Sequence, residues 1–148
     1  MCIRDRAVNL VFALDEALKM MREEGLDNIF LRHNKHKLAM SNAVKALNLK
    51  LFADEKYLSP SITAIKTEGI DAEEFRKTIK NNFDILLAGG QDHLKGKIFR
   101  VGHLGYVNDR DIITVVSAMS NTLLNLGKIT AQQAGEALIV ASRYLEES

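Results

Sequence analysis

The sequence predicts an α+β domain: a small, mostly antiparallel sheet of three or four strands with helices on one face, preceded by two helices. Three observations predict it. Helix-period and strand-like stretches follow one another in the order helix, helix, strand, strand, helix, strand, strand, helix, helix, an alternation suited to a single layered α+β unit. The 148 residues are 47% hydrophobic, enough to fill one core. Five of the nine glycines and two of the four histidines fall between Leu87 and Tyr106, so backbone freedom and polar chemistry coincide there, in the candidate functional stretch.

From Ala7, apolar residues at Leu10, Val11, Leu14, Leu18 and Met21 recur at helical spacing, and Gly25 supplies a stop. Asp27 is the expected N-cap of a second helix, with apolar positions Leu31, Leu38, Val44 and Leu47, running to Asn48. Its first half carries Arg32, His33, Lys35, His36 and Lys37. This basic cluster reads first as a solvated face and second as a phosphate or partner contact. His33 and His36 have the i, i+3 spacing of a metal pair, without an acid or thiolate close by in sequence.

Leu49 to Ala53 reads as a short strand, Asp54 to Pro60 as a loop, and the β-branched run Ile62 to Thr67 as a second strand. Asp71 with Glu74 opens a helix whose Ala72, Phe75, Ile79 and Phe83 form one stripe, read as core packing. Ile85 to Ala88 is a short apolar strand that Gly89-Gly90 ends. Asn108 begins a helix with Ile112, Val115, Val116, Met119 and Leu123 inward, ending at Gly127. Thr130 and Gln133 box the last helix, which carries Ala134, Ala137, Leu138, Ala141 and Leu145.

Ile98 to Leu104 is the remaining strand. Alternation places Ile98, Arg100, Gly102 and Leu104 on one face, so one cation sits among apolar neighbours. A guanidinium in such a row needs an anionic partner, and its planar fork suits a carboxylate or phosphate held by two parallel hydrogen bonds. Two partners fit: an internal carboxylate such as Asp84 or Asp92, or the carboxylate of a small ligand. His103 falls on the opposite face and reads as structural or surface; His93 has no assigned role.

Basic and acidic residues balance at 20 against 19, so the net field gives no reason to expect nucleic acid or an anionic membrane as partner. The single cysteine, Cys2, cannot close an internal disulfide or provide a thiolate set, which fits a cytoplasmic setting. No apolar run approaches the roughly 18 residues of a membrane span. There is no phosphate-binding Gly-x-x-x-x-Gly-Lys loop, dinucleotide fingerprint, His-Glu-x-x-His or Gly-x-Ser-x-Gly. Residues 1–6 look unlike the rest of the chain and read as an appended or artefactual start. The helix that opens at Ala7 without a preceding cap suggests a piece of a longer chain.

Gly89-Gly90-Gln91 followed by His93-Leu94-Lys95-Gly96-Lys97-Ile98-Phe99-Arg100-Val101-Gly102-His103-Leu104-Gly105-Tyr106 resembles the carboxy-terminal domain of class V pyridoxal-phosphate aminotransferases of the alanine-glyoxylate or serine-glyoxylate type. The resemblance extends through Ser59 to Ile65, the Glu68-Gly69-Ile70-Asp71 turn and the helix start at Ala7-Val8-Asn9-Leu10, covering nearly all of residues 7–146. It implies the small domain of a fold type I enzyme (49–148), with residues 7–48 as helices joining it to a large domain. It further implies that Arg100 binds the α-carboxylate of amino-acid and oxo-acid substrates.

For the whole enzyme it implies a homodimeric, cytoplasmic transferase using pyridoxal 5'-phosphate to move an amino group from alanine or serine to glyoxylate or pyruvate. The cofactor-bearing lysine, the aspartate that meets the pyridine nitrogen and the stacking aromatic belong to the large domain. No catalytic or cofactor-binding residue is therefore assigned within these 148, and the segment alone is expected to be inactive. The family's threonine-proline pair near the cofactor phosphate is replaced by Asp5-Arg6, so that contact is not carried over. A stand-alone amino-acid-binding or regulatory module, and a purely structural domain with Arg100 paired internally, are the rivals.

Overall fold

The computed structural model describes residues 7–146; residues 1–6, which read as an appended start and contain Cys2, lie outside the described residues. The described chain forms two units, one extending to Arg32 and the other beginning at His33. In the first, helix α1 (Val8–Glu24) is separated from helix α2 (Leu26–Ala46) by Gly25 alone. Gly25 takes φ +85°, a conformation that costs a Cβ-bearing residue, and its N–H closes the last turn onto the Met21 carbonyl. Asp27, expected as the N-cap, lies inside the first turn of α2 because Gly25 already ends α1 and its carbonyl accepts from Ile29. No residue of α1 is buried: Val8, Leu10, Val11, Phe12, Leu14, Leu18 and Met21 are all exposed.

The second unit has a four-stranded, fully antiparallel sheet in the order β1-β2-β4-β3. Its strands are β1 (Lys50–Leu51), β2 (Ile62–Lys66), β3 (Ala88–Gly89) and β4 (Ile98–Gly102). The expected strands at Leu49–Ala53, Ile85–Ala88 and Ile98–Leu104 are thus shorter or shifted, since both edge strands keep only the two residues that find a partner. Short 3-10 turns at Glu55–Tyr57 and Asp92–Leu94 occupy stretches read as loop.

One face of the sheet is covered. Thr63, Ile65, Phe99 and Val101 are buried beneath helices α3 (Ala72–Phe83), α4 (Asp109–Asn125) and α5 (Ala131–Glu146), which join the same core with the second half of α2. Phe75 of α3 meets Phe99 with ring centroids 5.0 Å apart, a tilted pair at the centre of this layer. Of the expected stripes, Ala72, Phe75 and Ile79 and then Ile112, Val116, Met119 and Leu123 are buried, Val115 is partly buried, and Phe83 at the end of α3 is exposed. On α2 the pattern holds in part: Val44 and, just past the helix end, Leu47 enter the core as expected, joined by Ala39, Met40 and Ala43, whereas Leu31 and Leu38 are exposed. Side-chain size alone marked the leucines, but the small Ala39 and Ala43 mark the face where this helix packs closely.

The helix starts follow their caps. Asp71 accepts from the Glu73 and Glu74 amides; Asn108 and Asp111 form a reciprocal box; Thr130 and Gln133 bond each other's backbone and side chain. Each satisfies amides that a first turn leaves unpaired.

Two polar side chains of α2 tie it to the other helices. His36 of α2 is fully buried and its Nε2 lies 2.9 Å from Asp109 Oδ1 at the start of α4. Lys35 donates to Asp109 Oδ2 at 3.0 Å and to the Leu145 carbonyl in the last turn of α5 at 3.3 Å. The basic cluster is therefore no solvated face: Arg32 is paired with Glu24, Lys35 and His36 with Asp109. An acid does stand beside His36, brought from 73 residues away by the fold. Partial burial pushes the Asp109 carboxyl up, but hydrogen bonds from His36 and Lys35, with their charges, outweigh it and hold the group below its usual range.

His103, just beyond β4, is 1% exposed and its Nε2 lies 2.9 Å from Thr63 Oγ1. This is the structural role that alternation expected. Burial, with His36 nearby, lowers its pKa from 6.5 to about 4. The folded protein thus holds His103 neutral where the unfolded chain would protonate it.

Two outcomes are expected. Between pH 6.5 and about 4 the unfolded state binds a proton at His103 that the folded state refuses, so stability falls as pH drops through that window, by about 3 kcal/mol in all, and levels off below it. Thermal melts at pH 7 and pH 4.5 check this, with His103→Gln expected to flatten the slope; an unchanged slope contradicts it. The Asp109 contribution is lost only at lower pH, below the ordinary carboxylate range. Secondly, the exposed apolar residues of α1 should make the isolated 148-residue chain self-associate, and a concentration-independent monomer in size-exclusion chromatography would count against it.

Candidate functional site: an arginine on the open face of the sheet

The uncovered face of the sheet carries Arg100. Its position follows from β4's alternation: Phe99 and Val101 are buried on the helix side, so Arg100 and Gly102 point the other way. The row expected to be apolar around Arg100 is in fact mostly open. Ile98 alone is buried, beneath the Gly90 to Lys97 segment, whereas Gly102 and Leu104 are exposed and Arg100 is half-buried. The bulkier Phe99 and Val101 claim the core, leaving the glycine and the cation outside.

Directly opposite Arg100 across the sheet are Ala64 on β2 and Ala88 on β3. Both are small, so the guanidinium's neighbours on either strand leave space above the sheet. Arg100 Nε donates to the Gly89 carbonyl at 3.1 Å. Among the described residues no carboxylate pairs with Arg100. Asp84, at the left-handed C-cap of α3, and Asp92, in the 3-10 turn, are exposed and do not reach it. The internal ion pair considered from sequence is therefore not formed. With Nε committed, the guanidinium presents its Nη1 and Nη2 edge, two parallel donors matched to one carboxylate.

The glycine pair before Arg100 has a steric reason. A Cβ on Gly90 would run into the Leu94 carbonyl of the following turn, and one on Gly89 would come within 2.7 Å of Arg76 Nη1. The main chain thus lies tight against α3 on one side and its own turn on the other. Arg76 of α3 donates from Nε to the Leu87 carbonyl at 2.8 Å and from Nη1 to both Glu73 oxygens at 2.9 and 3.0 Å. Sequence reading passed over Arg76. Its signal was the i, i+3 pair with Glu73 on a helix, a spacing far too common to single out, and its backbone acceptor leaves no trace in sequence.

The other histidines do not gather into a site. Among the described residues no group of three or more His, Cys, Asp or Glu side chains could hold a metal ion. His93 is exposed in the 3-10 turn. No helix of the described residues is long and apolar enough to cross a membrane.

Comparison with known proteins shows what the chain as a whole is similar to. No family model matches the chain. It is 53% identical over 138 residues to a protein of Synechococcus sp. (strain PCC 6716) named "Soluble hydrogenase, small subunit", covering 93% of this chain and 36% of that protein. It is 34% identical over 142 residues to the serine–glyoxylate aminotransferase of Methylorubrum extorquens, covering 94% of this chain and 35% of that enzyme. In structure it matches the ureidoglycine-glyoxylate aminotransferase of Bacillus subtilis with a TM-score of 0.82 at 32% identity, over 89% of this chain and 35% of that one. The chain spans about a third of the length of the relatives it matches. In sequence over nearly its whole length, and in the fold that carries Arg100, the chain belongs to the class V aminotransferases, of which it is a carboxy-terminal portion.

Proposed function

We propose that the whole protein is a pyridoxal-phosphate-dependent aminotransferase that moves an amino group from alanine or serine to a short oxo acid such as glyoxylate or pyruvate, and that Arg100 binds the substrate α-carboxylate. The observation that carries this reading is the guanidinium of Arg100, which has an anion-shaped edge, two small neighbours and no carboxylate partner among the described residues. The donor set of this segment fits the substrate side of such a reaction, and none of its residues is assigned to the cofactor. Pyridoxal phosphate, when bound, supplies the electron sink that lets an amino group change carriers.

The work of this segment is positional. Both substrates, donor and acceptor, carry an α-carboxylate, so one guanidinium serves both halves of a two-step exchange. Two parallel hydrogen bonds fix the carboxylate's position and plane together, which holds the adjacent carbon in one orientation for the reacting group. Ala64 and Ala88 keep the space above the sheet clear, and the Gly89 carbonyl prevents the fork from rotating. In the same proposal α1 and α2 join the small domain to a larger one, whose surface covers the apolar residues of α1, and the enzyme is a cytoplasmic homodimer.

A second reading follows the name of the Synechococcus relative, a hydrogenase subunit. This segment has one cysteine, too few thiolates for it to hold an iron–sulfur cluster by itself, so a hydrogenase role here would be one of association and not of metal ligation. Hydrogen uptake co-purifying with the whole protein would favour that reading.

The test is turnover by the whole protein loaded with pyridoxal phosphate, with alanine or serine plus glyoxylate, beside Arg100→Ala. Turnover should be present, and the variant should lose about 100-fold or more in kcat/KM for donor and acceptor alike. A variant as active as the parent removes Arg100 from the site, and no turnover with any small amino donor removes the aminotransferase reading.

A further inference from the structure

We propose that Arg76 is a positioning residue for the carboxylate site: clamped by Glu73 and the Leu87 carbonyl, it fixes the edge strand β3 so that the Gly89 carbonyl aims the Arg100 fork outward. This deepens the proposed role of Arg100 and rests on it.

β3 is two residues long and pairs on one side only, with β4. So short an edge is held weakly by its own ladder. Yet its Gly89 carbonyl is the acceptor that orients Arg100 Nε, at 3.1 Å. The second hold on β3 comes from α3. Arg76 Nε donates to the Leu87 carbonyl at 2.8 Å, immediately before the strand, and its Nη1 is gripped by both oxygens of Glu73. Arg76 also lies so close to Gly89 that a side chain there would strike it.

The contacts therefore form one line, Glu73 to Arg76, to the Leu87–Gly89 backbone, to Arg100. Guanidinium geometry is needed at Arg76, since a single ammonium cannot serve the carbonyl and the carboxylate in these two directions at once. Loosening the clamp lets the Gly89 carbonyl drift, and a carboxylate clamp misaimed by about 1 Å loses much of its orienting effect.

The experiment is a double-mutant cycle in the full-length enzyme, reading KM for the oxo acid, kcat and melting temperature. Arg76→Met should raise KM about tenfold and lower kcat as well, since the carboxylate is then both held less well and misoriented, and Arg76→Lys should not restore either. Glu73→Gln, which keeps Arg76 and its bond to Leu87, should raise KM about threefold and guards against a poorly folded Arg76→Met. In an Arg100→Ala background Arg76→Met should add nothing, because the group it positions is gone. An unchanged KM, or the same factor in both backgrounds, overturns the positioning role. If Arg100→Ala itself leaves KM unchanged, the carboxylate reading of Arg100 fails and the role of Arg76 falls with it. If Arg100→Ala raises KM and the Arg76 and Glu73 variants do not, the positioning role alone fails.

Discussion

The burial of Phe99 and Val101 is the constraint on which the rest of this structure depends. Strand side chains alternate with a period of two, so fixing these residues against Phe75 and the helix layer fixes Arg100 on the other face. A slip of one residue would bring a guanidinium into the core and put a phenylalanine in water, a double penalty that holds the register. The pairing of β4 with β2 then sets Ala64 opposite Arg100, and its pairing with β3 sets Ala88. The candidate site is thus a by-product of core packing on the reverse side of the same strand.

Polar groups supply what the apolar layer does not. His103 with Thr63 secures the end of β4, and Asp109 joins α2 to the start of α4 through His36 and Lys35. Lys35 reaches the last turn of α5 as well, where the helix end leaves a carbonyl without an intrahelical donor. On the opposite edge Arg76 holds β3 to α3. The His103, Lys35 and His36 contacts join elements distant in sequence and the Arg76 contact joins two consecutive ones, so these side chains locate helices around a sheet whose outer strands are too short to do so. The division is between a non-directional core that selects the face and directional bonds that set the angle.

Much of this was legible in the sequence and some was not, for identifiable reasons. Caps at Asp71, Asn108 and Thr130 are local, a side chain bonding amides two or three residues on, and local rules found them. The stripes of α3 and α4 were read from periodicity. The packed face of α2 was read in part: Val44 and Leu47 are buried as expected and Leu31 and Leu38 are not, since a leucine is conspicuous in sequence and an alanine pair is not. The true extent of β3 depends on its partner β4 elsewhere in the chain. Arg100 could be singled out by its setting and by family resemblance, but alternation alone mistook an open face for an apolar one. The absence of an internal partner at Asp84 or Asp92, and the acceptor at Gly89, are facts of tertiary structure. The same holds for Asp109 beside His36, a pair separated by 73 residues.

The most direct test of Arg100 as the carboxylate clamp is a crystal structure of the whole protein with an unreactive amino-acid or oxo-acid analogue bound. The clamp requires the ligand carboxylate on the Nη1 and Nη2 edge of Arg100, about 2.7–3.0 Å from each nitrogen, with Nε still on the Gly89 carbonyl. A ligand carboxylate held elsewhere, with the Arg100 fork closed onto a carboxylate of the protein, would contradict it.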